Sequence, residues 1–138
     1  TNYAARACLD LPYCQGQLVP KTDFSEGFNL FQTVGPNYLF GQMSNEARVA
    51  IHLTHRIGAI IVFLYSIFLV FKLWSNETKI ILSVFVGTLF TQIFLGVNNV
   101  LSQLPLWNAV AHNVVGVVLF LTFVVMTYLS FKGQNEYK

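Results

Sequence analysis

From Ile80 to Phe131 the sequence carries no Asp, Glu, Lys or Arg, a stretch of 52 residues. No single buried helix of a soluble domain is that long. At about 20 apolar residues per bilayer crossing, the stretch holds two transmembrane helices. Val49 to Phe71 is a third apolar segment, interrupted only by His52, His55, Arg56 and small polar residues. It lies too far from the N-terminus, and is too long, for a signal peptide. Composition points the same way: 10% of residues are charged, against roughly 25% in an average soluble domain. An ordinary soluble globule and intrinsic disorder are both excluded. A net charge of +2 with no basic block leaves no footprint for nucleic acid. The fold class expected is an all-α, polytopic membrane helical bundle.

The spans follow from local signals. Ser44 or Asn45 before Glu46 makes a helix start, a small polar cap followed by an acidic first turn. Helix one is expected over about 46–74. A very short connection at Ser75, Asn76 and Glu77 makes the next helix its antiparallel neighbour, over about 78–103. Pro105 removes a backbone donor and disfavours helix in the residue before it, so helix three runs over about 106–131, with 132–138 a polar tail. On helix two, Thr88, Thr91, Gln92, Asn99, Ser102 and Gln103 fall within about 60° of one line at 100° per residue. Polar side chains in hydrocarbon need partners, so this stripe serves interhelical hydrogen bonds or lines a cofactor pocket.

Residues 1–45 are different material. Pro12, Pro20, Pro36, Gly16, Gly27, Gly35 and Gly41 punctuate short apolar patches, the pattern of a long ordered loop over the mouth of the bundle. Cys8 and Cys14 stand with five residues between them. In an exported loop such a pair suggests a disulfide; two free thiols are the alternative. Lysine and arginine counts decide little about orientation, with Lys72, Lys79, Lys132 and Lys138 on one side and Arg6, Lys21 and Arg48 on the other. The cysteine pair is the clearer sign and puts the loop on the periplasmic side, or its mitochondrial equivalent. Without an initiator Met or a basic leader, the chain is expected to be a piece of something longer.

Histidine inside a span is costly enough to suggest function. His55 lies 16 residues before Phe71 and His112 lies 19 before Phe131, roughly 24 and 28 Å from the cytoplasmic ends at 1.5 Å per residue. Helices one and three run in the same direction, so both imidazoles reach similar depth and can face one object. An iron porphyrin with two axial histidines is such an object; a hydrogen bond to a neighbouring helix is the plain alternative for each. Gly58 and Ala59 after His55, and Ala109 and Gly116 around His112, leave room for a macrocycle edge. A zinc site needs further ligands at that level, and no cysteine or carboxylate lies near. His52, one turn from His55, and Arg48 suit a supporting role beside the iron ligand or a propionate contact, with an interfacial histidine as the alternative. Arg56, about 100° round the helix from His55, anchors the helix, binds lipid or meets a propionate.

At these residues a resemblance emerges. "ACLDLPYCQGQLVP" at Ala7–Pro20, "AIHLTHRIGA" at Ala50–Ala59, "QIFLGVNNVL" at Gln92–Leu101 and "LPLWNAVAHNVVG" at Leu104–Gly116 resemble the C-terminal half of the heme A synthase family. The "GFNLFQTVGPNY" loop is similar to that of its bacterial branch. The resemblance implies eight spans in two four-helix halves, of which this chain supplies three, and a multi-pass protein of the bacterial or mitochondrial inner membrane. It implies heme b as cofactor, with His55 and His112 as axial ligands of its iron, and Cys8 and Cys14 as the paired cysteines of the outer loop. The activity implied is oxidation of a methyl group of heme O to the formyl group of heme A for cytochrome oxidase biogenesis. The partners implied are heme O, the N-terminal half of the same enzyme, a heme O synthase and the lipid bilayer. The catalytic acid is expected in the other half, so no catalytic residue is nominated here. The competing reading is a bis-histidine cytochrome b-type electron-transfer subunit of the membrane.

Overall fold

The computed structural model describes residues 4–29, 31, 43–75 and 78–135. The described residues form four helices and no strand: α1 (Phe24–Gly27), α2 (Asn45–Leu73), α3 (Lys79–Leu101) and α4 (Leu106–Asn135). α2, α3 and α4 are each long and apolar enough to cross a membrane. The chain is therefore a multi-pass membrane protein. It divides into two compact units, Thr1–Ala59 with Asn99–Leu104, and Ile60–Asn98 with Pro105–Lys138.

In the first unit, the chain before α2 is held by a small knot. Cys8 and Cys14 form a disulfide with Cα atoms 4.7 Å apart. Cys14 and Gln17 exchange backbone hydrogen bonds of 2.9 and 3.1 Å, closing a two-residue turn through Gln15 (φ 55°) and Gly16 (φ 74°). Two successive positive φ values make this a turn of the primed type, in which glycine removes the steric cost at one of the two positions. The Asp10 carboxylate accepts from Gln15 N at 2.9 Å and Gly16 N at 2.7 Å. Those bonds, Gly16 first, hold the exposed Asp10 carboxyl below its ordinary value of 3.8. Asp23 caps α1 by accepting from Glu26 N at 2.9 Å. Glu26 in turn accepts from the amide and hydroxyl of Ser44. The Ser44 hydroxyl accepts from Ala47 N at 3.2 Å, so Ser44 is the N-cap of α2.

In the second unit the later part of α2 packs with α3 and α4 around Leu69, Leu82, Phe85, Leu89, Leu119 and Met126, with Phe63 and Phe123 at the margin. Phe123 bridges two rings, with centroids 5.4 Å from Tyr65 and 6.0 Å from Phe85. The outward side chains are apolar, among them Phe90, Phe94, Phe120 and Leu121, as a lipid-facing surface requires. Ser66 is fully buried yet satisfied within its own helix, its hydroxyl donating to Val62 O at 2.7 Å.

Two helix ends differ from the sequence expectation. α3 stops at Leu101, because Gln103 and Leu104 take positive φ values of 56° and 64°. Their amides turn back to Val100 O and Asn99 O, satisfying carbonyls that the helix end leaves open. Pro105 follows, and its carbonyl starts α4 by accepting from Asn108 N and Ala109 N, both at 3.0 Å. α4 continues past Phe131 to Asn135. Most of the "GFNLFQTVGPNY" loop and the last three residues of the tail lie outside the described residues.

Candidate functional site

Within the first unit, one face of α2 is devoted to the preceding loop. Asn45, His52 and Arg56 lie within about 40° of one line at 100° per residue, and each reaches loop atoms. Asn45 and Gln15 pair their amides reciprocally at 3.2 Å. The buried His52 places Nδ1 3.1 Å from Ala4 O. Arg56 donates from one terminal nitrogen to Tyr13 O at 2.8 Å and from the other to Asp10 O at 2.8 Å, with Pro12 O at 3.5 Å. Between them Val49 packs against Ala7, Cys8 and Cys14. The Nε atoms of Arg48 and Arg56 are buried and find no hydrogen-bond partner among the described residues. His55 precedes Arg56 on α2 and is exposed.

In the second unit His112 on α4 is half-buried against α3. Its ring lies so close to Gly96 that a Cβ there would stand 3.1 Å from His112 Cε1. The Gln92 amide nitrogen stands 3.3 Å from His112 Nε2, and Gln92 itself rests over Gly116, where a Cβ would come within 3.2 Å of that nitrogen. Metal bound at Nε2 therefore requires the flexible Gln92 side chain to swing aside, whereas the two glycines are built for close approach. One turn of α4 beyond His112, an open groove of about 370 Å³ is lined by Val84, Gly87, Thr88, Thr91, Val115 and Val118. The Thr88 and Thr91 hydroxyls donate to Val84 O and Gly87 O, both at 2.8 Å, so the groove presents few unmet polar demands. A second polar lock lies toward the start of α4: Asn108 is fully buried, donates to Leu95 O at 2.9 Å and accepts from Asn98 Nδ2 at 3.1 Å.

Among the described residues no three His, Cys, Asp or Glu side chains gather where they could hold a metal ion. The sequence matches the cytochrome oxidase assembly protein family over residues 1–124. The chain belongs to the heme A synthase family. It is 40% identical over 137 residues to the heme A synthase of Shewanella oneidensis, covering 99% of this chain and 42% of that protein. The chain thus spans less than half the length of the relative it matches. No solved structure matches it.

Of the heme A synthase residues singled out from sequence, Cys8 and Cys14 form the disulfide. His52 and Arg56 turn to the loop's carbonyls. His55 and His112 lie in different units. The polar stripe of α3 divides. Gln92 makes an interhelical contact, while Thr88 and Thr91 line the groove. Sequence reasoning did not nominate Asn98 or Asn108. Their signal was present all the same, since an amide in a charge-free span needs a partner.

Proposed function

We propose that this chain is the heme-b-binding half of a heme A synthase, with His55 and His112 as the axial ligands of the iron. The observation that carries the reading is the seating of His112, which is half-buried on Gly96 one turn from an apolar groove. An apolar groove with its hydroxyls already satisfied suits the face of a macrocycle better than a hydrated ion. The similar distance of His55 and His112 from the far ends of parallel helices supports pairing, as does their place in the "THR" and "AHN" motifs. When bound, heme b supplies a one-electron redox centre. The side chains around it bind the macrocycle, exclude water and fix the imidazole planes. The full enzyme oxidises a methyl group of heme O to the formyl group of heme A, a multi-electron oxidation that needs such a carrier. Heme O binding and the catalytic acid are assigned to the N-terminal half, and delivery of heme O to a heme O synthase. The disulfide supports a periplasmic placement of the loop.

The test is the spectrum of membrane-embedded protein. His55→Ala and His112→Ala should each abolish or alter the six-coordinate low-spin signal of heme b. Retention of the full signal by either variant rejects the pair. Pyridine hemochrome analysis separates the synthase from an electron-transfer cytochrome, because only the synthase should copurify heme O or heme A beside heme b.

A further inference from the structure

We propose that Arg56 is a positioning residue for His55, holding the ligand-bearing turn of α2 in place through the disulfide-closed loop. The proposal rests on the assignment of His55 as an iron ligand. Three side chains tie α2 to the chain before it, but they do not read the same part of it. His52 meets Ala4 O, outside the Cys8–Cys14 ring, and Asn45 meets the side chain of Gln15, just beyond it. Of these three, Arg56 alone reaches carbonyls inside the ring, those of Asp10 and Tyr13, with that of Pro12 at 3.5 Å. Main-chain carbonyls have no side chain to adjust. Their convergence on one guanidinium depends on the backbone path, which the disulfide and the Asp10 bonds to Gln15 and Gly16 set from within the loop. Closing the ring therefore prepares an acceptor site for a planar, two-pronged cation, a geometry that arginine matches and lysine does not.

Arg56 also follows His55 directly. Charge-assisted bonds are roughly twice as strong as neutral ones, and Arg56 makes two of them at 2.8 Å. They oppose rotation of α2 about its axis at the level where His55 projects, about 100° round the helix. Opening the ring frees the acceptors, weakens the hold of Arg56 and lets the imidazole turn. By linkage, loss of Arg56 must in turn loosen the ring.

The experiment compares wild type, Arg56→Gln, Arg56→Lys, the double variant Cys8→Ser with Cys14→Ser, and the combination of that pair with Arg56→Gln, in membrane-embedded full-length enzyme. Two readouts are taken: the low-spin heme g values, which follow imidazole orientation, and the rate at which dithiothreitol opens the disulfide. In that reaction a dithiol thiolate attacks one sulfur, the Cys8–Cys14 bond breaks, both cysteines become thiols and the reagent is oxidised to its cyclic disulfide. Arg56→Gln should keep two histidine ligands but shift the g values, and should speed disulfide opening about fivefold or more. Arg56→Lys should fall between. The cysteine pair should shift the g values as Arg56→Gln does, and the combined variant should shift them no further. Unchanged opening in Arg56→Gln overturns the docking role, and additive g shifts overturn the coupling. Should Arg56→Gln fail to accumulate, Asp10→Asn loosens the same ring and also removes a carboxylate that attracts Arg56; it must then speed opening, or the proposal falls. If His55→Ala keeps the low-spin signal, the ligand assignment has failed instead, and the opening rates still decide whether Arg56 docks the ring.

Discussion

Replacing Asn108 with alanine tests whether a buried amide locks α3 to α4. Asn108 is 0% exposed, and two of its partners lie on α3: Leu95 O at 2.9 Å and Asn98 Nδ2 at 3.1 Å. Leu95 is in mid-helix, so its carbonyl keeps its α-helical bond when the amide is removed, and no orphan acceptor is created there. In a bilayer the unfolded reference state also finds partners, and interhelical hydrogen bonds average ~0.6 kcal/mol. Truncation leaves ~30 Å³ of additional space, worth ~0.7 kcal/mol at the usual cavity coefficient. Two bonds and the cavity together make the cost about 2 kcal/mol, well below what one buried unsatisfied group and two strong bonds would suggest in a soluble core. Unfolding by SDS in mixed micelles, followed by tryptophan fluorescence, measures it, and a cycle with Asn98→Ala isolates the amide pair, with a coupling near ~0.6 kcal/mol. A loss within ~0.3 kcal/mol of zero, with no coupling, would falsify the lock. A loss above ~4 kcal/mol would show that water, not lipid or detergent, is the relevant reference for this site.

Gly96→Ala puts a Cβ 3.1 Å from His112 Cε1, so the ring must yield by a few tenths of an ångström; the expected outcome is altered low-spin g values with heme content retained, read by EPR, and an unchanged spectrum refutes the close seating. Gly27→Ala places its Cβ 2.8 Å from the main-chain oxygen of the fully buried Ala47; it should cost about 1–3 kcal/mol of local packing and raise amide exchange at Gly27 and Phe28. Asp10 has a depressed carboxyl in the folded loop, so its contribution is complete above the ordinary value of 3.8 and is lost as pH falls through the lower folded value. Exchange protection at Gln15 and Gly16 should therefore fade only in strong acid, and Asp10→Asn should weaken it at neutral pH.

What the sequence makes legible follows from the range of the physics involved. The spans are legible because a charge in hydrocarbon is penalised wherever it falls, so the absence of charge from Ile80 to Phe131 is a signal summed over every residue of the stretch. The disulfide was legible because two cysteines close in sequence, in a Pro/Gly-rich segment outside the spans, have few other uses. The end of α3 was less so. The positive φ of Gln103 and of Leu104 is settled by a local turn, and neither residue type advertises that conformation.

That Arg56 anchors its helix was among the readings the sequence allowed, but its acceptors were not legible, and the reason is general. Its acceptors are the carbonyls of Asp10, Pro12 and Tyr13, 43 to 46 residues earlier in the chain. A main-chain carbonyl is the same whatever its side chain, so nothing in the composition of the loop marks it as a cation's partner. An arginine near a candidate heme ligand invites a propionate as counter-ion, because charge pairing is the simplest use of a guanidinium. The structure shows a different use, in which main-chain carbonyls gathered by a closed ring accept the hydrogen bonds of the guanidinium while the Asp10 carboxylate attracts it from nearby. For His112 the situation is reversed. Gly96 and Gly116 stand in the quoted motifs as small residues, but their meaning lies in distances of 3.1 and 3.2 Å to a ring and to an amide. For Gly116, size alone suggests room for a macrocycle edge. The distances show that this room is already used by the imidazole and by Gln92, so a porphyrin held by His112 Nε2 would require the Gln92 side chain to swing aside.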